Sequence, residues 1–111
     1  MDLLPLQTDN RGKVWNLSHE GREYILQLTL KGRKRGGDYH HSNAHFLVLD
    51  GSIALTLPDG RHNLHHGESI TVSSETPHYY EAIEDSIVIE FRDSHNPDDR
   101  FIYQPFRELI F

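Results

Sequence analysis

Histidine is the residue type in this sequence that most directly suggests chemistry. The chain has nine histidines among its 111 residues. Asp38 and His40 are two positions apart, so on a strand both side chains project from one face into the same space, while Tyr39 and His41 point to the other side. A carboxylate beside an imidazole, joined by a further histidine, is suited to holding a metal ion or to transferring protons. Composition alone does not decide between these two uses.

The composition argues against several other functions. Because the chain has no cysteine, it has no disulfide, thiolate metal site or cysteine nucleophile. The formal net charge of −6 argues against nucleic acid as a partner. No segment of the sequence approaches the roughly 20 apolar residues of a membrane span. Residues 1–5 lack the basic and long apolar regions of a signal peptide, so we expect a cytoplasmic protein with no membrane partner.

The elements that must position the polar residues are predicted to be strands. Short β-branched and aromatic runs recur between turn residues, and no stretch carries apolar residues at helical spacing. Alternation is clearest over 23–30 and 86–91, and the even positions from Tyr24 to Leu30 share one apolar face. About eight or nine such strands indicate an antiparallel sandwich or barrel, whose closure removes open sheet edges. The other predicted strands are 13–17, 38–41, 46–49, 52–57, 69–72 and 79–82.

Turn residues separate these strands. The pair 50–51 (Asp-Gly) predicts a tight turn, and 58–60 (Pro-Asp-Gly) predicts a hairpin, because glycine takes positive φ without steric cost. Loops are predicted over 32–37 and 92–99. The continuous apolar run 46–49 is expected to be covered on both of its faces.

We expect a single domain over residues 1–111, since a chain of this length supports one core. The barrel is predicted to occupy about residues 12–92. Large apolar residues return in the tail 100–111, where Pro105 argues against one long helix. Because so small a domain leaves apolar surface to cover, we expect a homodimer in which the tail, or the strand around Trp15, docks on the partner.

Two segments have the spacing of a known pair of motifs. The first, 36–51, runs from a glycine pair to Gly51, and the second, 67–78, begins with glycine and ends in Thr-Pro-His. Together they resemble the two motifs of the cupin superfamily, over roughly residues 35–91. The resemblance implies an all-β fold, the cupin double-stranded β-helix or jelly-roll barrel. It also implies a site of three histidines and one glutamate, which suits Fe, Mn, Ni or Zn.

The sequence departs from these motifs at two ligand positions. Asp38 occupies the first histidine position and Ala44 the glutamate position, so only His40 and His78 match the family's ligands. The resemblance therefore implies a divalent transition metal held by His40, His78 and Asp38. His45 would complete the site if a bulge or shifted turn after it re-aims the side chain. The other histidines are expected to lie outside the site, with His41 and the three in 62–66 at the surface.

A second family resemblance implies a different reaction. Residues 35–41 (RGGDYHH) are similar to the start of the first motif in cupins that act on nucleotide sugars, including dTDP-sugar ketoisomerases and the cupin domain of capsular polysaccharide enzymes. Residues 99–106 are weakly similar to the ketoisomerase tail. In that group paired histidines act as acid and base without a metal, which implies His40 as the base and Asp38 as the group that orients it. The basic loop 31–35 would suit an anionic ligand, although a solvated run of charges explains it equally well.

Three functions follow as expectations. The leading one is a metal-binding small cupin that acts on or binds a small polar molecule. The second is a metal-free isomerase or epimerase of nucleotide-linked sugars, and the third is a non-catalytic sugar-binding or sensory module. Fold analogy does not choose among them, because this barrel hosts many chemistries. In an enzyme of either kind, His40 and Asp38 are the expected catalytic residues.

Overall fold

Strands dominate the part of the chain that the structure, a computed structural model, describes: residues 7–94, 96 and 98–110. In chain order the elements are β1 (Gln7–Asp9), β2 (Gly12–His19), β3 (Arg22–Thr29), β4 (Lys34–Tyr39), β5 (Ala44–Asp50), β6 (Ser52–Leu57), β7 (Gly60–His65), β8 (Ser69–Val72), β9 (His78–Ala82), β10 (Ser86–Arg92), β11 (Phe101–Ile102) and the helix α1 (Gln104–Ile110). His95 and the two ends of the chain, including Phe111 of the predicted tail, lie outside the described residues.

The strands form two antiparallel sheets, as predicted for a jelly-roll barrel. The first has six strands in the order β1-β2-β3-β10-β5-β8, and the second has five in the order β11-β4-β9-β6-β7. Side chains from both sheets meet in one core. Its buried members are Ala44, Phe46, Val48, Ile53, Leu55, Leu64, Val72, Tyr80 and Val88.

The six-stranded sheet mixes polar residues, mainly on β3, with apolar core residues on its inner face, while its outer face is largely apolar. On β3, Gln27 and Thr29 are buried inside the barrel. The alternating residues Leu26 and Leu28 point outward and are only half-buried. The register continues this pattern across four strands. We call the result the outer apolar face, which comprises Trp15, Leu17, Tyr24, Leu26, Leu28, Leu47, Leu49, Ile87, Ile89 and Phe91.

Two predictions about individual segments are wrong, and one strand was not predicted. Residues 34–37, predicted as loop, are strand because β4 pairs with β9 along this length, and pairing overrides their low strand propensity. No strand was predicted between 58 and 68, but residues 60–65 form β7. The run 46–49 is covered on one face only, since Leu49 is 46% exposed while Phe46 and Val48 are buried.

Both predicted turns are confirmed. Gly51 has φ +84° between β5 and β6, a conformation that favours glycine. Residues 58–59 join β6 to β7 in a hairpin, and the register places Leu57 opposite Gly60, the first residue of β7.

The tail packs on its own barrel. β11 pairs with β4, and the ring of Phe106 in α1 lies 5.1 Å from that of Tyr79 in β9. Pro105 occupies the first turn of α1, where its missing N–H costs no helical hydrogen bond. Part of the tail still faces solvent, since Ile102 is 63% and Leu109 is 55% exposed, and the outer apolar face around Trp15 is only half-buried. Over the described residues, the structure contains no helix of the length and apolarity that crossing a membrane requires.

Candidate functional site

A bulge in β4 turns two charged side chains into the barrel. The register with β9 shifts across the glycine pair 36–37, so that the first glycine lies opposite Tyr79 and Asp38 lies opposite His78. Because the bulge adds one residue, Arg35 and Asp38 both face the interior although they are three positions apart, and both are buried. A Cβ on the first glycine would lie 2.8 Å from the Tyr79 Cα, so only glycine fits there.

Three buried side chains meet at this point: Asp38, His40 and His78. The Asp38 Oδ1 lies 3.5 Å from His78 Nε2 and 3.9 Å from His40 Nε2. One ligand atom from each residue lies within 4.8 Å of the other two. Two imidazoles and one carboxylate form a donor set that suits a divalent transition metal.

Backbone carbonyls fix the orientation of both imidazoles. His40 Nδ1 lies 2.7 Å from the Asp99 carbonyl, and His78 Nδ1 lies 2.9 Å from the Thr76 carbonyl. Arg92 Nη1 also lies 3.2 Å from His40 Nδ1, but it is closer to the Asp99 carbonyl and donates to that oxygen instead. Since a carbonyl can only accept, each Nδ1 is assigned the proton, and each Nε2 then presents a lone pair toward Asp38. His40 Nε2 is buried and has no hydrogen-bond partner among the described residues. An unpaired buried lone pair is what a metal ligand or a general base requires.

Burial favours the neutral form of His40 against the pull of the neighbouring carboxylates. Burial lowers the pKa of His40, although the Asp99 carbonyl and the carboxylates of Glu90 and Asp38 act in the opposite direction. Glu90 Oε2 lies 3.8 Å from His40 Nε2. The other oxygen of Asp38 accepts a hydrogen bond from Arg100 Nε at 2.6 Å. Near neutral pH, His40 therefore has an unprotonated Nε2.

Asp99 anchors the segment that holds His40 in place. Its carboxylate accepts hydrogen bonds from the backbone N–H groups of His41 and Ser42, at 2.6 and 3.2 Å, and from the Ser42 hydroxyl at 2.6 Å. Burial alone would raise the pKa of Asp99, but these hydrogen bonds outweigh it and lower the pKa. The backbone carbonyl of the same residue also accepts from Arg92. The acceptor that orients His40 is thus itself held from several sides.

The cluster opens into a cavity of about 460 Å³ between the sheets. Its polar wall includes a chain of hydrogen bonds that begins at Arg35 and passes through Thr29, Tyr80 and Gln27 to Glu90. Burial raises the pKa of Tyr80, so its hydroxyl keeps its proton and donates to Gln27. The lining residues are Gln7, Arg11, Val14, Asn16, Glu23, Ile25, Gln27, Arg35, Gly36, Asp38, His40, Phe46, His78, Tyr80, Glu90, Arg92, Arg100 and Arg107.

His45 is not brought to this cluster. The pairing of β5 with β8 runs without a shift past His45, so the bulge that would re-aim its side chain does not form and the side chain stays on the outside. There its Nδ1 lies 3.0 Å from Thr71 Oγ1 and its Nε2 lies 2.8 Å from Asp93 Oδ1. Its ring stacks on that of Phe91. His41 is exposed beside Glu75, as predicted for a surface residue.

The comparison with known families gives one match. Residues 25–91 match the family model described as a cupin domain. No curated protein matches the chain.

Several solved structures share the fold. The capsular polysaccharide assembling protein CapF from Staphylococcus aureus is 18% identical with a TM-score of 0.77, over 92% of this chain and 32% of that one. A single-residue variant of oxalate decarboxylase from Bacillus subtilis is 16% identical with a TM-score of 0.77, over 91% and 30%. KdgF from Halomonas sp. is 19% identical with a TM-score of 0.68, over 85% and 89%. This chain therefore spans about a third of the first two proteins and most of the third, and the likeness is one of fold.

Proposed function

This chain belongs to the cupin domain family, and we propose that within the family it is a metal-binding member that takes a small polar molecule into its barrel. His40, His78 and Asp38 would hold the ion. One observation carries this proposal: the two histidines have their Nδ1 protons held by backbone carbonyls, so both Nε2 lone pairs face the Asp38 carboxylate.

The residues around the cluster fit a divalent Fe, Mn, Ni or Zn ion. When bound, such an ion supplies a Lewis acid that polarises a ligand oxygen or activates water. The chain itself orients the ligands through the carbonyls of Asp99 and Thr76. Glu90, 3.8 Å from His40, offers a further carboxylate that can hold a proton beside the bound molecule.

The first prediction concerns metal content. We expect about one divalent metal ion per chain in protein purified without a histidine tag, and loss of that ion in the double variant His40→Ala/His78→Ala. Removing two of three ligands leaves a single carboxylate, which cannot retain the ion. Elemental analysis after gel filtration measures the ratio.

The matched control removes more histidines from a different place. The triple variant His62→Ala/His65→Ala/His66→Ala changes β7 and the residue after it, none of which lines the cavity. It is expected to keep its metal. Metal lost in the triple variant and retained in the double variant would show that the ion binds at the surface instead.

A metal-free reaction with His40 as base is the second candidate. It is favoured by the lowered pKa of His40, caused first by burial, together with its unpaired Nε2. In this case metal-free protein incubated in D₂O with a nucleotide-linked sugar would replace a proton of that sugar with deuterium. The exchange would be lost in His40→Ala, and the wild-type protein would contain no stoichiometric metal.

We also propose that the chain forms a homodimer through the outer apolar face. An apolar sheet face needs a complementary apolar surface to cover it, and a second copy supplies one by two-fold symmetry. Ile89 lies near the middle of the face, opposite Leu26 on one side and Leu47 on the other. Large apolar patches of this kind mark association surfaces.

The second prediction tests this association surface. Ile89→Asp is expected to convert a dimer into a monomer in light scattering at micromolar concentration, because two carboxylates would be buried across the symmetric contact. Ile83→Asp is the control, since Ile83 is 42% exposed in the turn after β9, away from the face. A wild-type protein that is monomeric at this concentration would contradict the proposal.

A further inference from the structure

Arginines concentrate around the cavity. The chain has a net charge of −6 and only eight arginines, yet five of them line the cavity: Arg11, Arg35, Arg92, Arg100 and Arg107. Among the described residues, the cavity lining has only three carboxylates, those of Glu23, Asp38 and Glu90. The interior therefore carries a positive excess inside an acidic protein, which favours the entry of anions.

Two of these arginines already have carboxylate partners. Arg11 pairs with Asp9 at 2.7 Å, and Arg100 pairs with Asp38 at 2.6 Å. Arg35 differs from both, because within the described part of the chain no carboxylate lies within ion-pair distance of it. Its hydrogen bonds run to neutral oxygens, from Nε to the Thr29 hydroxyl at 2.8 Å and from Nη2 to the Leu28 carbonyl at 3.2 Å.

Arg35 is only 6% exposed, so its charge is almost fully removed from bulk water. A buried cation without an anion is costly to the folded state. The hydrogen-bonded chain through Thr29, Tyr80 and Gln27 fixes the guanidinium in place and connects it only indirectly to Glu90. A guanidinium held rigidly against a cavity wall is suited to planar, two-point recognition of a carboxylate or phosphate.

We propose that the cavity selects a small organic anion whose carboxylate or phosphate group pairs with Arg35, while the rest of the molecule extends toward His40 and His78. This proposal rests on the proposed function and names the ligand class of the same site. A volume of about 460 Å³ suits a molecule of a few to about twenty non-hydrogen atoms. Neutral sugars of the same size would leave the guanidinium unpaired and are expected to bind more weakly.

The test compares ligands that differ only in charge. Glucose, glucuronate and glucose 6-phosphate share one pyranose ring and differ at a single carbon, and malonate and phosphate serve as small anions without the ring. Thermal shift and calorimetry on the metal-loaded protein are expected to show binding of at least one of the four anions and none by glucose. In Arg35→Gln the dissociation constant for that anion is expected to rise about tenfold or more, because a charge-assisted pair is lost.

Two further variants separate binding from folding. Arg35→Lys keeps the cation and is expected to retain part of the affinity, so it reports on the charge even if the glutamine variant is poorly folded. Arg61→Gln removes an exposed arginine of β7 outside the cavity and is expected to change nothing. Anions that fail to bind the wild-type protein, or that bind all three variants equally well, would overturn the proposal.

Metal content measured on the same samples keeps the two proposals apart. Protein that holds about one ion per chain but binds no anion contradicts only the ligand class. Protein that binds an anion through Arg35 but contains no metal contradicts only the metal site.

Discussion

Replacing Phe46 with alanine is expected to lower the free energy of unfolding by about 3–5 kcal/mol, a large share of the stability of so small a domain. Phe46 is 2% exposed, and its ring packs edge-on against the rings of His78 and Tyr80. Its loss removes these contacts and enlarges the cavity. Thermal or denaturant unfolding of metal-free protein measures the change.

The same measurement separates scaffold from site. His40→Ala and His78→Ala are expected to stay within about 1 kcal/mol of the wild-type protein, because each removes a polar group that is itself costly to bury. In the first of these, the Asp99 carbonyl keeps its bond from Arg92. Phe101→Ala makes the same deletion as Phe46→Ala at a half-buried position and is expected to cost less. Histidine variants as destabilised as Phe46→Ala would mean that both histidines are core structure.

Gly51→Ala is expected to destabilise the fold by about 2–4 kcal/mol, through backbone strain and a direct clash. Gly51 has φ +84°, and a Cβ there would overlap Ser86 Oγ and lie 2.5 Å from the Asp85 carbonyl oxygen. Ser86 begins β10 and Asp85 directly precedes it, so the start of this strand has to move.

Gly67 provides a matched control for this variant. It has φ +83°, almost the same as Gly51, but a Cβ there meets nothing within 4 Å. Gly67→Ala is therefore expected to cost only the conformational strain, about 1 kcal/mol. Equal melting temperatures for the two variants would show that the turn after β5 yields and that packing against β10 contributes little.

Alternation in the sequence predicted most strands but not which face of the first sheet is buried. Over 23–30 and 86–91 the period of two is clear, and both segments are strands. In ordinary barrels the apolar set faces inward; here Gln27, Thr29 and Glu90 line or approach the interior. A period of two shows that a strand has two different faces, but it does not show which of them points inward. That choice depends on what the cavity binds and on what covers the outside of the sheet.

The candidate site was predicted in part. The spacing of Asp38 and His40 placed both on one face, and the motif resemblance supplied His78 from a distant strand. The contributions of Glu90 and Arg100 depend on contacts between residues 50 and 62 positions apart in the chain, which no local pattern encodes. The sequence contains a weak indication of Glu90 at the site, because alternation over 86–91 places this acid on the same strand face as Ser86 and Val88. His45 was predicted at the site only on condition of a bulge, and the bulge forms at the glycine pair 36–37 instead.

The Asp99 carbonyl makes the chemistry of His40 depend on a residue beyond the segment that defines the family, which ends at residue 91. A fragment cut at that boundary would keep both histidines and Asp38. The imidazole of His40 could then turn over or move its proton to Nε2, and an incoming ion would meet an N–H group in place of a lone pair. The smallest portable unit of this site, for grafting onto another barrel, therefore runs through residue 99 and includes Ser42, which holds Asp99.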